Sequence, residues 1–166
     1  MTTATAHAAE PTHQVVPEDY FSLAWVYQVA LSPDGQSTVW SDLRWDPDTR
    51  ERNADLWHVD NVTGATRRLT FDPGFDSTPT WGPGGKWIYF KSARAGAKNQ
   101  VFRIDPSGLN IKQVTRVDKG IKAYQLSDDG TAIYYTVSHK TTDDPWKGLK
   151  NKYGSLIYGH GVVTKT

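Results

Sequence analysis

Leu31-Ser32-Pro33-Asp34-Gly35 forms a corner that returns twice further along the chain. The copies read Trp81-Gly82-Pro83-Gly84-Gly85 and Leu126-Ser127-Asp128-Asp129-Gly130, so the closing glycines lie 50 and 45 residues apart. Such corners suit a type I turn closed by a left-handed residue, where glycine carries no steric penalty. Each corner therefore predicts a hairpin between two strands.

A second motif repeats with the same period. Residues 56–60 read Leu-Trp-His-Val-Asp, and residues 101–105 read Val-Phe-Arg-Ile-Asp, 45 positions later. A Leu-Thr pair at 69–70 is matched by a Val-Thr pair at 114–115, again at an offset of 45. Self-similarity at a fixed period is the signature of a repeat architecture.

Each period contains four runs with strand character, separated by turn residues. In the first period these runs are 26–31, 37–43, 55–60 and 66–69. In the second they are 78–81, 87–91, 100–105 and 111–114, and a third period starts with 122–126 and 132–138 before the pattern stops. The pattern predicts four-stranded antiparallel meanders.

Alternation along the third strand of each period predicts which side chains are buried. Trp57 and Val59 occupy inward positions, as do their equivalents Phe102 and Ile104. His58 lies between the inward positions. We therefore expect its side chain at the surface and not in a metal site.

An antiparallel unit of four strands and about 45 residues is the size of a β-propeller blade. One blade cannot bury both of its faces, so it needs a neighbour on each side. We predict an all-β chain, a partial β-propeller of about two and a half four-stranded blades with a short N-terminal helix. The predicted divisions are a disordered tail at 1–16, the helix at 17–25, blade 1 at 26–72, blade 2 at 73–117, and an incomplete blade 3 at 118–166 with an inserted loop at 139–166.

The helix prediction rests on the residues from Pro17 to Trp25. Proline needs no amide hydrogen in a first turn, and Glu18 and Asp19 face the positive end of the helix dipole. The aromatic residues that follow predict docking on the core, with the helix ending near Trp25.

The composition excludes several classes of protein. The 166 residues carry 19 Lys+Arg, 18 Asp+Glu and no cysteine, for a formal charge of +1. Such a chain lacks the basic field that nucleic-acid binding needs, and it can form neither disulfides nor thiolate metal sites. Its apolar runs are a few residues long, against roughly 20 for a membrane span.

The first 14 residues leave the compartment open. They contain Ala-x-Ala patterns shaped like signal-peptidase sites, but no apolar core of about 7 to 15 residues precedes them. Two locations stay open: the cytoplasm, or, if an upstream signal peptide is missing, the periplasm or the cell exterior.

The repeated segments resemble a known family. The corner at 31–35, its copies, and the segments at 55–60 and 67–70 resemble the blades of TolB-type propellers. More narrowly, they resemble the N-terminal propeller of prolyl oligopeptidase-family serine peptidases, especially acylaminoacyl-peptidase and dipeptidyl-peptidase-like members. The helix start at 18–21, which leads directly into blade 1, and the Lys-Tyr-Gly-Ser-Leu-Ile-Tyr-Gly-His-Gly segment at 152–161 add to this resemblance.

The resemblance implies a non-catalytic role for this stretch. In that family an α/β-hydrolase domain follows the propeller in sequence, and the propeller covers its active site. Short peptides can pass the propeller, whereas folded chains cannot. No Gly-x-Ser-x-Gly elbow occurs in the 166 residues. We expect a propeller fragment of a serine peptidase, with peptide substrates bound through the missing hydrolase domain. The alternative is a TolB-like binding or scaffold module without enzymatic activity, and self-association through exposed blade faces stays open.

No residue is assigned to catalysis, to a cofactor or to a metal. His160 lies between two glycines without a nucleophile elbow or a positioned acid, and is interpreted as a loop residue. Asp46, Asp48 and Asp55 lack the spacing of a calcium loop, and the arginines between them oppose a cation, so a solvated hairpin is expected.

Three further features receive a structural interpretation. The glutamates are Glu10, Glu18 and Glu51, none adjacent to another, so the paired-glutamate amine clamp of some dipeptidyl peptidases is not in this stretch. The basic segment at 140–152 is interrupted by acidic residues and predicts a surface loop, not a nucleic-acid or membrane patch. Residues 61–63 form a glycosylation sequon in form only.

Overall fold

The computed structural model describes residues 14–46, 49–94, 96 and 98–138. Its strands form two four-stranded antiparallel sheets and a two-stranded hairpin, each with neighbouring strands in chain order. Sheet 1 contains β1 (Ala24–Leu31), β2 (Ser37–Asp46), β3 (Glu51–Asp60) and β4 (Thr66–Arg68). Sheet 2 contains β5 (Ser77–Trp81), β6 (Ile88–Ser92), β7 (Gln100–Ile104) and β8 (Lys112–Gln113), and the hairpin contains β9 (Ala123–Leu126) and β10 (Ile133–Thr136). The predicted all-β class and the repeated meanders are confirmed.

The repeated corners join the first and second strands of each unit, as the sequence predicts. Gly35 and Gly130 close two of them with φ values of 72° and 69°. In the first corner Ser32 Oγ donates to Asp34 Oδ1 at 2.6 Å and accepts from the Ser37 amide at 2.9 Å. These bonds fix the turn through side chains that the sequence motif itself supplies.

The N-terminal helix is shorter than predicted. It spans Asp19–Ser22, and β1 begins at Ala24, so the prediction of a helix to Trp25 is wrong. Trp25 pairs with Leu43 in the sheet instead. The reason is tertiary: the Arg52 guanidinium lies 5.1 Å from the centre of the Trp25 ring, a contact that Trp25 makes from its position in β1.

The second and third strands of sheet 1 extend beyond their predicted ends. The ladder continues to the pair Asp46 and Glu51, beyond the predicted strand ends at 43 and 55. Arg52 also lies over the Trp45 ring at 5.6 Å, and Phe21 of the helix contacts Trp45 with ring centres 5.8 Å apart. The extension therefore carries the side chains on which the helix packs.

The core lies between the two four-stranded sheets. We call the face of a sheet that points to the next sheet in sequence its forward face, and the opposite face its rear face. The forward face of sheet 1 packs against the rear face of sheet 2. The buried cluster between them contains Val39, Leu56, Leu69, Ile88, Phe90, Phe102 and Ile104.

The prediction that His58 lies at the surface is wrong. Its side chain is 6% exposed on the forward face of sheet 1, paired with Val39 and in edge contact with Trp81 of sheet 2 at 6.3 Å. Trp57 and Val59, predicted inward, are only partly buried. Side chains alternate between the two faces of β3 as predicted. Sheet 2 covers the face that carries His58, whereas the prediction had placed the covering sheet on the face of Trp57 and Val59.

The repeat explains this reversal. Trp57 and Phe102 are equivalent, and both lie on the rear face of their own sheet. Phe102 is 4% exposed because sheet 1 covers it. Among the residues that the structure describes, no sheet lies behind Trp57. Sequence equivalence therefore assigns the direction of a side chain, while burial depends on which neighbour is present.

Candidate functional site

The rear face of sheet 1 is the most distinctive surface of the described chain. Strand alternation brings Trp40, Asp42 and Arg44 of β2 to this face together with Trp57 of β3. Trp40 and Trp57 are paired in register, and their rings stack with centres 6.4 Å apart and planes 21° from parallel. Two large aromatic side chains thus form one flat platform on an open sheet.

An arginine and an aspartate complete the platform. The Arg44 guanidinium lies over the Trp57 ring at 5.4 Å, and its Nη2 donates to Asp42 Oδ2 at 3.0 Å. The Arg44 side chain is 54% exposed, whereas that of Asp42 is 5% exposed. A guanidinium that stacks on an indole and pairs with a carboxylate is held in one orientation. A guanidinium held in this way suits recognition of a second surface.

The same face contains polar atoms without partners. Asp42 Oδ1 and Trp40 Nε1 are shielded from water and have no hydrogen-bond partner among the described residues. A buried donor or acceptor left unpaired costs about 1 to 3 kcal/mol. The first strand adds exposed apolar side chains, with Val26 57% and Leu31 61% exposed. These features indicate an interaction surface.

The rear face of sheet 2 carries the same arrangement, and there it is covered. The Arg94 guanidinium lies over Phe90 at 5.1 Å and over Phe102 at 5.5 Å. Its Nη2 pairs with Asp76 Oδ2 at 2.5 Å, and Asp76 is fully buried. Arg94 follows Arg44 by 50 positions, the offset of the first two corners.

Hydrogen bonds across the gap show how a forward face covers a rear face. Three contacts place side chains of one sheet on the backbone of the other: Trp81 Nε1 to the Ala30 carbonyl at 3.1 Å, Ser41 Oγ to the Asp76 carbonyl at 3.2 Å, and the Thr78 amide to Gln28 Oε1 at 2.7 Å. The Asp76 amide also donates to the Ala54 carbonyl at 2.8 Å. The sheets are thus tied near their first two strands as well as by apolar packing.

Burial shifts the pKa values of two groups in this interface. Desolvation raises the pKa of Asp76 to about 6, against the lowering effects of Ser92 and Arg94. Desolvation lowers the pKa of His58, and the positive charge of Arg67 lowers it further. Both shifts favour the uncharged form, because the space between the sheets is dry.

A groove of about 420 Å³ lies where the corners of successive units meet. Pro33, Trp81, Pro83, Gln125 and Asp128 are among its lining residues. It brings a single ionisable side chain, that of Asp128, next to backbone and apolar groups. It has no arrangement of acid, base and nucleophile with which a reaction could be built.

Of the residues considered from the sequence, the structure describes Asp46 and Asp55 and does not bring them together. Asp55 pairs with Arg68 at 2.6 Å in the body of sheet 1, whereas Asp46 lies at the hairpin tip and accepts from the Thr49 amide. Asp48, His160 and the segment at 140–152 lie outside the described residues. Over the described ranges, no three His, Cys, Asp or Glu side chains lie close enough to hold a metal ion.

Two other sequence features are placed by the structure. Asn61 of the sequon donates through Nδ2 to the Gly35 carbonyl at 3.0 Å and accepts from the Thr38 hydroxyl at 3.0 Å, so it links two turns. Of the helices that the structure describes, none has the length and apolarity needed to cross a membrane.

The platform on sheet 1 was not predicted from the sequence. Its signal was present, because the 50-residue offset that relates the corners also relates Trp40 to Phe90 and Arg44 to Arg94. Comparing the second strands at that offset would have found the repeated aromatic and arginine positions.

Comparison with known proteins gives consistent matches. A family model described as a TolB beta propeller domain matches residues 24–146. Dipeptidyl-peptidase 5 of Porphyromonas endodontalis is 28% identical over 130 residues, which cover 78% of this chain and 19% of that protein.

Solved structures also resemble the chain, and two of them illustrate the range. TolB from Acinetobacter baumannii is 27% identical, with a TM-score of 0.55 over 69% of this chain and 27% of that one. The acylaminoacyl peptidase of Pyrococcus horikoshii gives a TM-score of 0.61 at 14% identity, over 75% of this chain and 19% of that one. At this identity the second match concerns the fold alone. The chain spans between 19% and 28% of the length of the curated relatives it matches.

Proposed function

The chain belongs to the TolB β-propeller family, and from that premise we propose that it is the non-catalytic propeller portion of a serine peptidase. In this role its sheets gate the access of peptides to an α/β-hydrolase domain that lies outside the 166 residues. The observation that carries the proposal is the match to dipeptidyl-peptidase 5 over 78% of the chain. The fold shared with acylaminoacyl peptidase agrees with it.

The geometry of the first strands suits a passage. Gln28 of β1 accepts from the Thr78 amide of β5, and the Tyr124 hydroxyl of β9 donates to the Thr78 carbonyl at 2.6 Å. Successive first strands are thus linked to one another, which supports a position at the narrow side of the stacked sheets. In a ring of such blades they would line the central opening and limit its width.

The contacts between sheets 1 and 2 suit a rigid opening that selects peptides by size. The backbone contacts of Ser41, Trp81 and Asp76 resist separation of sheets 1 and 2. A rigid opening admits extended peptides and excludes folded chains without any chemical step. Hydrolysis would use a serine nucleophile, a histidine base and an oxyanion hole supplied by the hydrolase domain.

The proposed blade divisions are 26–72, 73–117 and 118–166.

A peptidase assay tests the division of labour. We expect the 166-residue chain alone to give no turnover of an acylated or dipeptidyl chromogenic substrate. Turnover that survives stringent purification and is lost on heat unfolding would overturn the non-catalytic role.

The second candidate is a TolB-like binding or scaffold module with no enzyme attached, and the 27% identity to TolB from Acinetobacter baumannii supports it. The reading frame beyond the codon for Thr166 separates the two. Further blades followed by a Gly-x-Ser-x-Gly elbow favour the peptidase. Blades followed by a stop codon favour the scaffold.

A further inference from the structure

We propose that the rear face of sheet 1 docks head-to-tail on the forward face of the β9–β10 hairpin of a second copy of this chain. This inference concerns assembly, so it goes beyond the proposed function, and peptidase assays do not bear on it. The platform defined by Trp40, Asp42, Arg44 and Trp57 is one half of the contact. The other half is the side of the hairpin that points away from sheet 2.

The chain already contains two examples of this contact. The forward face of sheet 1 covers the rear face of sheet 2, with Arg94 stacked on Phe90 and Phe102. Sheet 2 in turn contacts the hairpin, where the Tyr124 hydroxyl and the Thr78 carbonyl are 2.6 Å apart and Lys91 Nζ donates to the Lys122 carbonyl at 2.9 Å. A third contact of the same kind, between two copies, continues this established stack.

The hairpin supplies a matching forward face. Tyr134 and Gln125 are directly paired, and Tyr134 is 66% exposed. Tyr134 stands where sheet 1 has Val39, and Thr136 stands where it has Ser41, both at an offset of 95. The Ser41 hydroxyl bonds to the backbone of sheet 2, so Thr136 keeps the hydroxyl that this contact uses.

The charges of the two faces are compatible. The rear face of sheet 1 carries two arginines and two aspartates in two ion pairs, Arg44 with Asp42 at 3.0 Å and Arg68 with Asp55 at 2.6 Å. The outward positions of the hairpin, Ala123, Gln125, Tyr134 and Thr136, carry no charge. At the offset of 95, Tyr134 and Gln125 stand where sheet 1 has Val39 and Ala30, the directly paired residues that pack on the rear face of sheet 2. No charge is buried against a like charge.

The proposed interface is heterologous, because two different surfaces meet. Repetition of one head-to-tail step yields a closed ring if the rotation divides the circle evenly, and otherwise an open chain. Each copy carries one platform and one hairpin, so blocking either surface in a copy leaves the other available.

Sedimentation velocity of the full 166-residue chain over a concentration series is the test. We expect species at multiples of the 18.6 kDa chain mass, growing with concentration. Trp57→Glu on the platform and Tyr134→Glu on the hairpin are each expected to weaken association at least about tenfold. A one-to-one mixture of the two variants is expected to form a species of two chains and nothing larger, because one intact interface remains.

Two further variants keep the test sharp. Arg44→Glu changes a side chain that is 54% exposed and reverses its charge on the platform; because it also removes the partner of the 5% exposed Asp42 carboxylate, its folding is checked as well. Leu109→Glu changes a turn residue that is 81% exposed and lies on neither face, and it is expected to associate like the original chain. Far-UV circular dichroism and a thermal melt of each variant check that folding is retained.

Three results would overturn the proposal. The first is a chain that stays monomeric at every concentration, as expected if additional blades of a longer polypeptide are the natural cover. The second is association that is unaffected by Trp57→Glu and Arg44→Glu. The third is association that Trp57→Glu abolishes while Tyr134→Glu leaves it unchanged, since that pattern indicates two rear faces meeting each other.

Discussion

The rear faces of sheets 1 and 2 are built on one plan and differ in what lies behind them. Both carry an aromatic side chain on each central strand with an arginine stacked above: Arg44 over Trp57 in sheet 1, and Arg94 over Phe90 and Phe102 in sheet 2. The arginine of sheet 1 is 54% exposed, and that of sheet 2 is 10% exposed. One side-chain pattern can therefore serve as a core or as a surface.

The acid that holds each arginine comes from a different strand. Asp42 of β2 holds Arg44, whereas Asp76, just before β5, holds Arg94. At the 50-residue offset, Asp42 corresponds to Ser92 and Asp76 corresponds to Val26, so the carboxylate has exchanged places with a small or apolar side chain. The arginine and its ion pair are retained across the repeat, although the position that supplies the acid is not. This indicates that the arginine's position, not a particular acid, is what the blade requires.

The largest expected difference between the two faces is in the aromatic positions. Phe90→Ala removes a fully buried ring from the core and is expected to cost about 3 to 5 kcal/mol of unfolding free energy. Trp40→Ala removes a half-buried ring at the equivalent position and is expected to cost about 1 kcal/mol. Urea unfolding followed by circular dichroism measures both. Equal losses would mean that the rear face of sheet 1 is covered in solution.

The arginines provide the next contrast. Arg94→Met leaves the Asp76 carboxylate buried without its partner, and we expect a loss of about 3 kcal/mol. Arg44→Met also removes the partner of a carboxylate, but the Arg44 side chain is 54% exposed, so we expect a smaller loss of about 1 kcal/mol. The same unfolding measurement applies. The double variant Asp76→Asn with Arg94→Met is expected to recover part of the loss, because no uncompensated charge remains.

These contrasts locate what the sequence could and could not predict. The corners and the strand runs were predictable, because turn chemistry and side-chain alternation are local. Each pattern also occurs again in the next repeat, which supports its assignment. The helix end and the surface position of His58 were predicted wrongly, because both depend on tertiary neighbours: Arg52 over Trp25, and Trp81 against His58. Residues far apart in the chain make those contacts, and alternation cannot say which face receives a partner.

The glycine corners allow a smaller and cleaner comparison. Gly35 and Gly130 have nearly the same φ, 72° and 69°, so alanine at either position adopts an unfavourable left-handed conformation that costs about 1 to 2 kcal/mol. A methyl group at Gly35 meets no atom within 4 Å, whereas at Gly130 it would lie 2.8 Å from Pro83 Cδ. We expect Gly130→Ala to cost more than Gly35→Ala, and paired thermal melts measure the difference. Equal shifts would mean that the hairpin corner does not rest on Pro83.

The smallest expected effect is a pH dependence of the contact between sheets 1 and 2. Burial lowers the pKa of His58 below its usual value of 6.5, so the unfolded chain takes up a proton more readily than the folded one. The contribution of His58 to stability is therefore present above pH 6.5 and is lost as the pH falls through its lowered folded value. Asp76 acts in the opposite direction: its pKa is raised to about 6, so its contribution grows as the pH falls from above 6 toward 3.8.

Comparison of the original chain with His58→Gln separates these two effects, since Asp76 is common to both. The free energy of unfolding of each protein is measured by urea between pH 5 and pH 8. Below pH 6.5 the original chain is expected to lose stability relative to the glutamine variant, because glutamine takes up no proton between the sheets. Parallel curves for the two proteins would mean that His58 is as hydrated in the folded chain as in the unfolded one, and that the forward face of sheet 1 does not exclude water at this position.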